Sequence, residues 1–263
     1  MSDVSKVRFA DYPGSVAKAL DLIAAAQRLP QDGLIIIKPN LTTSDAPPAT
    51  TNVAAAEAVY SYCRRHSKAE IAIGEGSGMG TTSESFEANG YVELARKHGM
   101  ELIDFNQAPA VLLRRSDALQ LKEFHIPKVA VDAFVISLPV LKDHCFTTTT
   151  VAMKNMFGLA PAPYYQGSYN KARLHSPSVH KSVVDVCLYK RPGLCVVDAS
   201  VAMAGSHLSG TPTRLGVILA SADPVAVDAV ASRLLGHDPR RIQHLRLANG
   251  LLGDMDHIQV IEA

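Results

Sequence analysis

Tryptophan is missing from this chain of 263 residues, cysteine occurs four times, and only 19% of the residues are charged. The cysteines and the charge balance bound the function. Cys63, Cys145, Cys187 and Cys195 are scattered, with no C-x-x-C pair for zinc and no close triplet for an iron–sulfur cluster. Reduced thiols, mostly in a core, are expected, and an iron–sulfur cofactor is not. A formal net charge of +1 without a long basic run supplies no field to draw the chain onto nucleic acid or an anionic membrane, so neither is expected as a partner. The longest apolar runs, such as "LIIIKPNL" and "AVDAFVISLPVL", are too short to cross a bilayer, and the opening "MSDVSKVRFADYPG" has no apolar signal core. A cytoplasmic protein is expected. H-E-x-x-H is absent, so a divalent metal would have to be assembled from distant residues such as His144, His180 and Asp198.

What is present is enough apolar material, 47% of the residues, to bury a substantial core. Short β-rich runs alternate with helical patterns. The strand candidates are "GLIIIKPN" (33–40), "AEIAIGEG" (69–76), "GMELIDFN" (99–106), "AFVISLPVL" (133–141), "LCVVDAS" (194–200) and "RLGVILASAD" (214–223). Between them, "TTNVAAAEAVYSYCRRH" and "SESFEANGYVELARKHG" read as amphipathic helices, the second opening at Ser83 and ending before Gly99. Strands apolar on both faces, separated by such helices, predict an α/β fold with a mostly parallel, Rossmann-like sheet covered by helices on both faces. One domain over 1–263 accommodates this, as do two lobes divided near 160–178. That stretch, "APAPYYQGSYNKARLHSPS", reads as a long loop of the kind that forms a functional lid or stays disordered.

In such a sheet ligands collect at the carboxyl ends of the strands. Lys38, Pro39 and Asn40 follow the first run, Glu75 and the glycines of "GEGSGMGTT" the second, and Lys142, Asp143 and His144 the fourth. The fifth ends at Asp198 and the sixth reaches Asp223 and Asp228. If "VISLPVLKDH" stays extended through 144, Lys142 and His144 project to one side, because side chains alternate along a strand. The threonines 147–150, Thr148 among them, stand where a helix would begin and would present free N–H groups to an anion, with Lys154 and Asn155 within two turns. These groups form a candidate cradle for phosphate or carboxylate. An imidazole among lysines has its pKa lowered, which makes His144 a candidate base near neutral pH. Glu75 is a candidate base or metal ligand, and His175 a loop histidine able to close over a ligand. The glycines at 74, 76, 78 and 80 lack the G-K-[ST] of a P-loop and fit G-x-G-x-x-G poorly, so a flexible turn is expected there.

The ordered series "IKPNLT", "LPVLKDH", "TTVAMKNMFGL", "HKSVVDV", "VVDASVAMAG" and "ASADPVAVDAVASRLLG" resembles the family called domain of unknown function 362. Its most specific pieces are K-P-N, K-x-H and K-N-x-x-G. The resemblance implies a shared site drawn from Lys38, Asn40, Lys142, His144, Lys154, Asn155, His180, Asp185, Asp198 and Asp228. Many members carry a cysteine-rich ferredoxin-like segment that is absent from this sequence.

Two readings follow. In one the chain is an enzyme on a small anionic, phosphate- or carboxylate-bearing metabolite, with Lys142, His144, Lys154 and His180 in the reaction and Lys38, Asn40, Glu75, Thr148, Asn155 and Asp198 binding the ligand. In the other the same cradle is a non-catalytic anion- or metal-binding accessory module linked to a redox partner. Neither decides the substrate, the metal or assembly into an oligomer.

Overall fold

Ile35, Ile36 and Ile37 are all fully buried, because Ile35 and Ile37 enter the apolar cluster on one face of a sheet and Ile36 enters the cluster on the other. A strand apolar on both sides is what a sheet covered twice demands. The computed structural model describes residues 1–263. Its strands are β1 (Ser2–Arg8), β2 (Leu34–Pro39), β3 (Glu70–Glu75), β4 (Glu101–Asp104), β5 (Ala110–Arg114) and β6 (Glu123–Pro127), then β7 (Phe134–Leu138), β8 (Val140–His144), β9 (Thr148–Thr150), β10 (Leu194–Ala204), β11 (Thr211–Ser221) and β12 (Ile258–Glu262). The helices are α1 (Tyr12–Leu22), α2 (Val53–His66), α3 (Thr82–Ala88), α4 (Tyr91–His98), α5 (Lys128–Asp132), α6 (Ala152–Asn155), α7 (Ala162–Tyr165), α8 (Val179–Tyr189), α9 (Pro224–Leu234) and α10 (Gln243–Ala248).

The main sheet runs β12-β1-β11-β10-β7-β2-β3-β4, with β8 beside β10 and β9 beside β8, while β5 and β6 form a separate pair. β10, β7, β2, β3 and β4 are parallel. From β2 the chain builds outward to β3 and β4 and then returns to the other side of β2 as β7. The carboxyl ends of β2 and β7 therefore flank the switch point where α/β sheets open a crevice. Residues from α1, α2 and α4 cover one face, and α6, α8 and α10 contribute to the cluster on the other. The expected mostly parallel α/β sheet is what the chain forms.

Several local expectations change. β11 pairs antiparallel with both β10 and β1, so its carboxyl end points to the opposite edge. Asp223 there caps α9 and accepts from Ser2 Oγ at 2.6 Å, far along the fold from the crevice. The helix expected from Ser83 to Gly99 is two: Thr81 caps α3 with a capping box to Glu84, and Gly90, at φ 77°, breaks the chain before α4. Gly90 serves because L side chains avoid that left-handed conformation. Gly99, at φ 65°, ends α4 as expected.

The largest local difference is at the threonines. They do not open a helix but form β9, which folds back antiparallel on β8 with Lys142 opposite Thr150. Only after Val151 does α6 begin, and its first two N–H groups are taken by the buried carboxyl of Asp228, at 2.8 Å from Ala152 N and 3.1 Å from Met153 N. That helix end is closed to an outside anion. Asp228 ties the core together, and burial pushes its pKa up to about 8.

Candidate functional site

Lys38 follows Ile37 on β2, so the alternation that buries the isoleucines also buries a lysine. A buried ammonium needs a partner, and Glu75 at the end of the neighbouring strand β3 supplies one at 2.7 Å from Nζ. Glu75 is fully committed. Its Oε1 also accepts from Gly76 N at 2.8 Å, and its Oε2 from Leu41 N at 3.0 Å. Glu75 is thus the counter-ion of Lys38. Burial lowers the Lys38 pKa, and Glu75 works against that shift.

Asn155 links this pair to the rest. Its side-chain N–H donates to Lys38 O at 3.0 Å and Ser137 Oγ at 3.1 Å, and its Oδ1 accepts from Asn40 Nδ2 at 3.2 Å and Lys38 Nζ at 3.3 Å. Asn40 in turn accepts from Lys142 Nζ at 2.7 Å, and Lys142 also donates to Ala49 O at 2.7 Å. The K-P-N and K-N-x-x-G segments are thus halves of one hydrogen-bonded floor. The glycine of the second segment has a steric reason. A Cβ on Gly158 would stand 2.6 Å from Lys38 Nζ and collide with Glu75 Oε1. Gly76 is constrained likewise, since its Cβ would meet Gly158 O at 2.5 Å.

Above the floor lies a cavity of about 210 Å³. Lys142, Lys154 and Lys171 face it with His144, His175 and His207, and Glu75 is the one carboxylate among the lining residues. Burial lowers each of the three lysines to about pKa 7. Glu75 opposes the shift at Lys142 and Lys171, whereas Lys142 and Lys38 add to it at Lys154. Lys142 and Lys171 have protein acceptors; Lys171 Nζ donates to Asn106 Oδ1 at 2.5 Å and to Ala160 O. Lys154 has none, and its Nζ stands 3.9 Å from the centroid of the Phe157 ring.

Lys142 and His144 share a face of β8 as expected, while Asp143 points away and accepts from Gly205 N at 2.5 Å and meets His237 Nε2 at 2.6 Å. His144 Nδ1 accepts from Phe146 N at 3.1 Å and Thr147 N at 3.4 Å. Burial, then the nearby lysines and histidines, lower its pKa to about 2, so the ring is neutral and its proton resides on Nε2. His144 thus presents an N–H, not a lone pair, at Nε2. His175 has the opposite tautomer. Its Nδ1 faces Lys171 O at 3.0 Å, a carbonyl that only accepts, so Nδ1 carries the proton and Nε2 a lone pair. Burial and Lys154 lower its pKa to about 4. The stretch 160–178 is a packed wall. It contains α7 and a turn of 3₁₀ helix at Ala172–His175, and Asn170 pins it to the glycine loop by donating to Ser77 O at 2.9 Å and Gly80 O at 3.0 Å.

Of the residues selected from the sequence, Asn40, Glu75, Lys142, His144, Lys154 and Asn155 line the cavity, and Lys38 lies behind Glu75. Thr148, His180 and Asp198 do not. Thr148 sits at φ 67° as the first residue of β9, opposite His144, and Thr150, opposite Lys142, lines the cavity in its place. His180 on α8 stacks with His244 at 5.8 Å between centroids. Asp198 accepts from Tyr12 Oη at 2.8 Å and Ser200 Oγ at 2.6 Å. Asp185 is a structural cap for the backbone N–H groups of Leu119, Gln120 and Leu121. Lys171 and His207 had no signal in the sequence. They come from the 160–178 wall and from the β10–β11 hairpin, and only the fold brings them to β8. There His207 stacks on His144 at 4.1 Å and 14°.

The family description "Domain of unknown function (DUF362)" matches residues 35–233, a span that holds every residue lining the cavity. The chain is 26% identical over 212 residues to the thylakoid-associated protein sll1697 of Synechocystis sp., covering 79% of this chain and 64% of that protein. It therefore spans a little under two thirds of that relative's length. No helix of the chain is long and apolar enough to cross a membrane.

Proposed function

The chain belongs to the DUF362 family, and we propose that its cavity binds a small organic anion and exchanges a proton with it. The observation that carries this reading is Lys154. A cavity lined by three lysines holds one carboxylate, that carboxylate is committed to Lys38, and Lys154 is left without an acceptor. An anion supplies the missing counter-charge, and in a site shielded from water its bonds to ammonium groups are strong. Asn40, Lys142 and Asn155 hold the floor rigid while Lys154 and Lys171 meet the anion from the sides.

The enzyme reading rests on the histidines. His144 Nε2–H is a neutral donor and His175 Nε2 a neutral acceptor, which is the division of labour that moving a proton between two atoms of one ligand requires. Burial is the main cause of both low pKa values and lysine charge adds to it; a bound anion offsets the lysine part and so raises the His175 pKa. Binding is tested by thermal shift with inorganic phosphate and with acetate on the wild type and Lys154→Met. The wild type is expected to be stabilised and the variant not, and equal responses sink the reading. Turnover is tested by deuterium incorporation beside the carboxylate in a panel of carboxylic acids held in D2O. Incorporation lost in His175→Ala supports the enzyme, and stabilisation without exchange in any acid supports a binding module.

One fact favours a second reading, a metal-binding accessory module: ligand atoms of His144, Cys145 and His207 lie within 4.8 Å of one another. A borderline-soft divalent ion such as Zn²⁺ suits that set. Against it, the two rings are nearly parallel, so their in-plane lone pairs run side by side, and His144 must turn off its backbone donors to chelate. A cobalt(II)–thiolate absorption that vanishes in Cys145→Ser supports the metal, and its absence in the wild type removes it.

A further inference from the structure

The cavity has a polar floor and an apolar mouth. Phe146 is 59% exposed and Met79 is 47% exposed, and both line this cavity. Phe146 occupies the turn between β8 and β9, where small or polar residues are the usual choice. Its ring lies 5.9 Å from His144 and 5.7 Å from His175, both residues of the cavity wall. His175 is also edge-on to Phe157 at 5.8 Å and Tyr169 at 5.4 Å, so three aromatic rings surround it. Met79 enters from the glycine loop after β3 and brings a polarisable thioether to the same opening.

Capture of an inorganic anion uses none of this surface. A sugar phosphate would bring hydroxyl groups against Phe146 and Met79, neither of which can pair with them. From the exposed rings, the cationic interior and the size of the cavity, we infer that the anion taken here carries a flat apolar body, the class being single-ring aryl carboxylates or aryl phosphates. The head group meets Lys154 and Lys171, and the ring lies between Met79 and Phe146. This inference rests on the anion-binding reading of the same site and adds the chemistry of the body to that of the head.

Calorimetric titration with benzoate, phenyl phosphate, acetate, inorganic phosphate and benzyl alcohol separates head from body. Benzoate is expected to bind about tenfold tighter than acetate, and phenyl phosphate about tenfold tighter than phosphate, for burial of one ring. Both residues are exposed, so Phe146→Ala combined with Met79→Ala should fold normally, lose that advantage and keep the affinity for acetate and phosphate. Equal affinity of aryl and simple anions in the wild type overturns the inference and leaves the anion site standing. Binding of no anion at all, or binding insensitive to Lys154→Met, overturns the underlying reading instead. If aryl and simple anions bind alike and the wild type, but not Phe146→Ala, sediments with phosphatidylcholine vesicles, the rim is a membrane contact and the inference is wrong.

Discussion

Gly158 Cα packs so closely against Lys38 that a methyl group on it would stand 2.6 Å from the lysine Nζ. The ion pair at the floor of the cavity and the glycine of the K-N-x-x-G segment are therefore one construction. Gly158→Ala is expected to destabilise the fold by about 2 kcal/mol, since the pair is buried and has little room to shift. Glu75→Gln is expected to cost more, roughly 3–5 kcal/mol, because it strands the Lys38 charge without its partner. Urea denaturation of both variants checks the order; a neutral Gly158→Ala shows that the pair can move aside.

Proton linkage gives the lysines a signature. Each of Lys142, Lys154 and Lys171 has a folded pKa near 7, below its unfolded value of 10.5, so above pH 7 the unfolded chain holds more protons than the folded one. Stability of the free protein should rise from pH 7 to about 9. Asp228, raised to about 8, opposes this with one group against three, and buried thiols such as Cys63, raised to about 12, flatten the trend once unfolded cysteines ionise above 9. Thermal unfolding across that range reads the slope, and a flat or falling profile contradicts the lysine assignment.

The same protons govern binding. Acetate remains fully ionised above pH 6, so any pH dependence of its affinity belongs to the protein. Binding should take up protons and weaken as pH rises above 7, by up to about tenfold per pH unit for each proton taken up. Calorimetry in buffers of different ionisation enthalpy counts those protons; no uptake at pH 8 contradicts the reading that charged lysines hold the anion.

The two histidine tautomers are directly observable. Nitrogen-15 NMR at pH 7 should find the His144 proton on Nε2 and the His175 proton on Nδ1, with both rings staying neutral down to pH 5 because their pKa values lie near 2 and 4. If His144 carries its proton on Nδ1, the donor role fails and a base role for it returns.

Asp228→Ala should move the site from a distance. Its carboxyl holds the first two N–H groups of α6, the helix that carries Lys154 and Asn155. Losing two buried hydrogen bonds is expected to cost roughly 2–4 kcal/mol and to weaken acetate binding as Lys154 loses its position. A variant that is destabilised yet binds acetate normally separates α6 from the site.

Local patterns in the sequence determined the parallel core of the sheet, the placement of polar groups at the ends of β2, β3 and β8, and the shared face of Lys142 and His144. The first follows from runs apolar on both faces with helices between them, the second from where those runs end, and the third from side-chain alternation, all properties of neighbouring residues. The pairing of β11 was decided elsewhere, by which neighbour it meets, and that moved Asp223 to the opposite edge. The threonines 147–150 carry a helix-cap composition, yet β8 offered them a ladder, and Asp228, 76 positions beyond Ala152, took the helix start instead. Lys171 and His207 reach the cavity from a wall segment and a hairpin with no periodicity to announce them. The hydrogen-bond partners of His144 and His175 were decided by the fold as well, because a tautomer depends on the partner at each ring nitrogen, and those partners are backbone groups whose directions exist only in the folded chain.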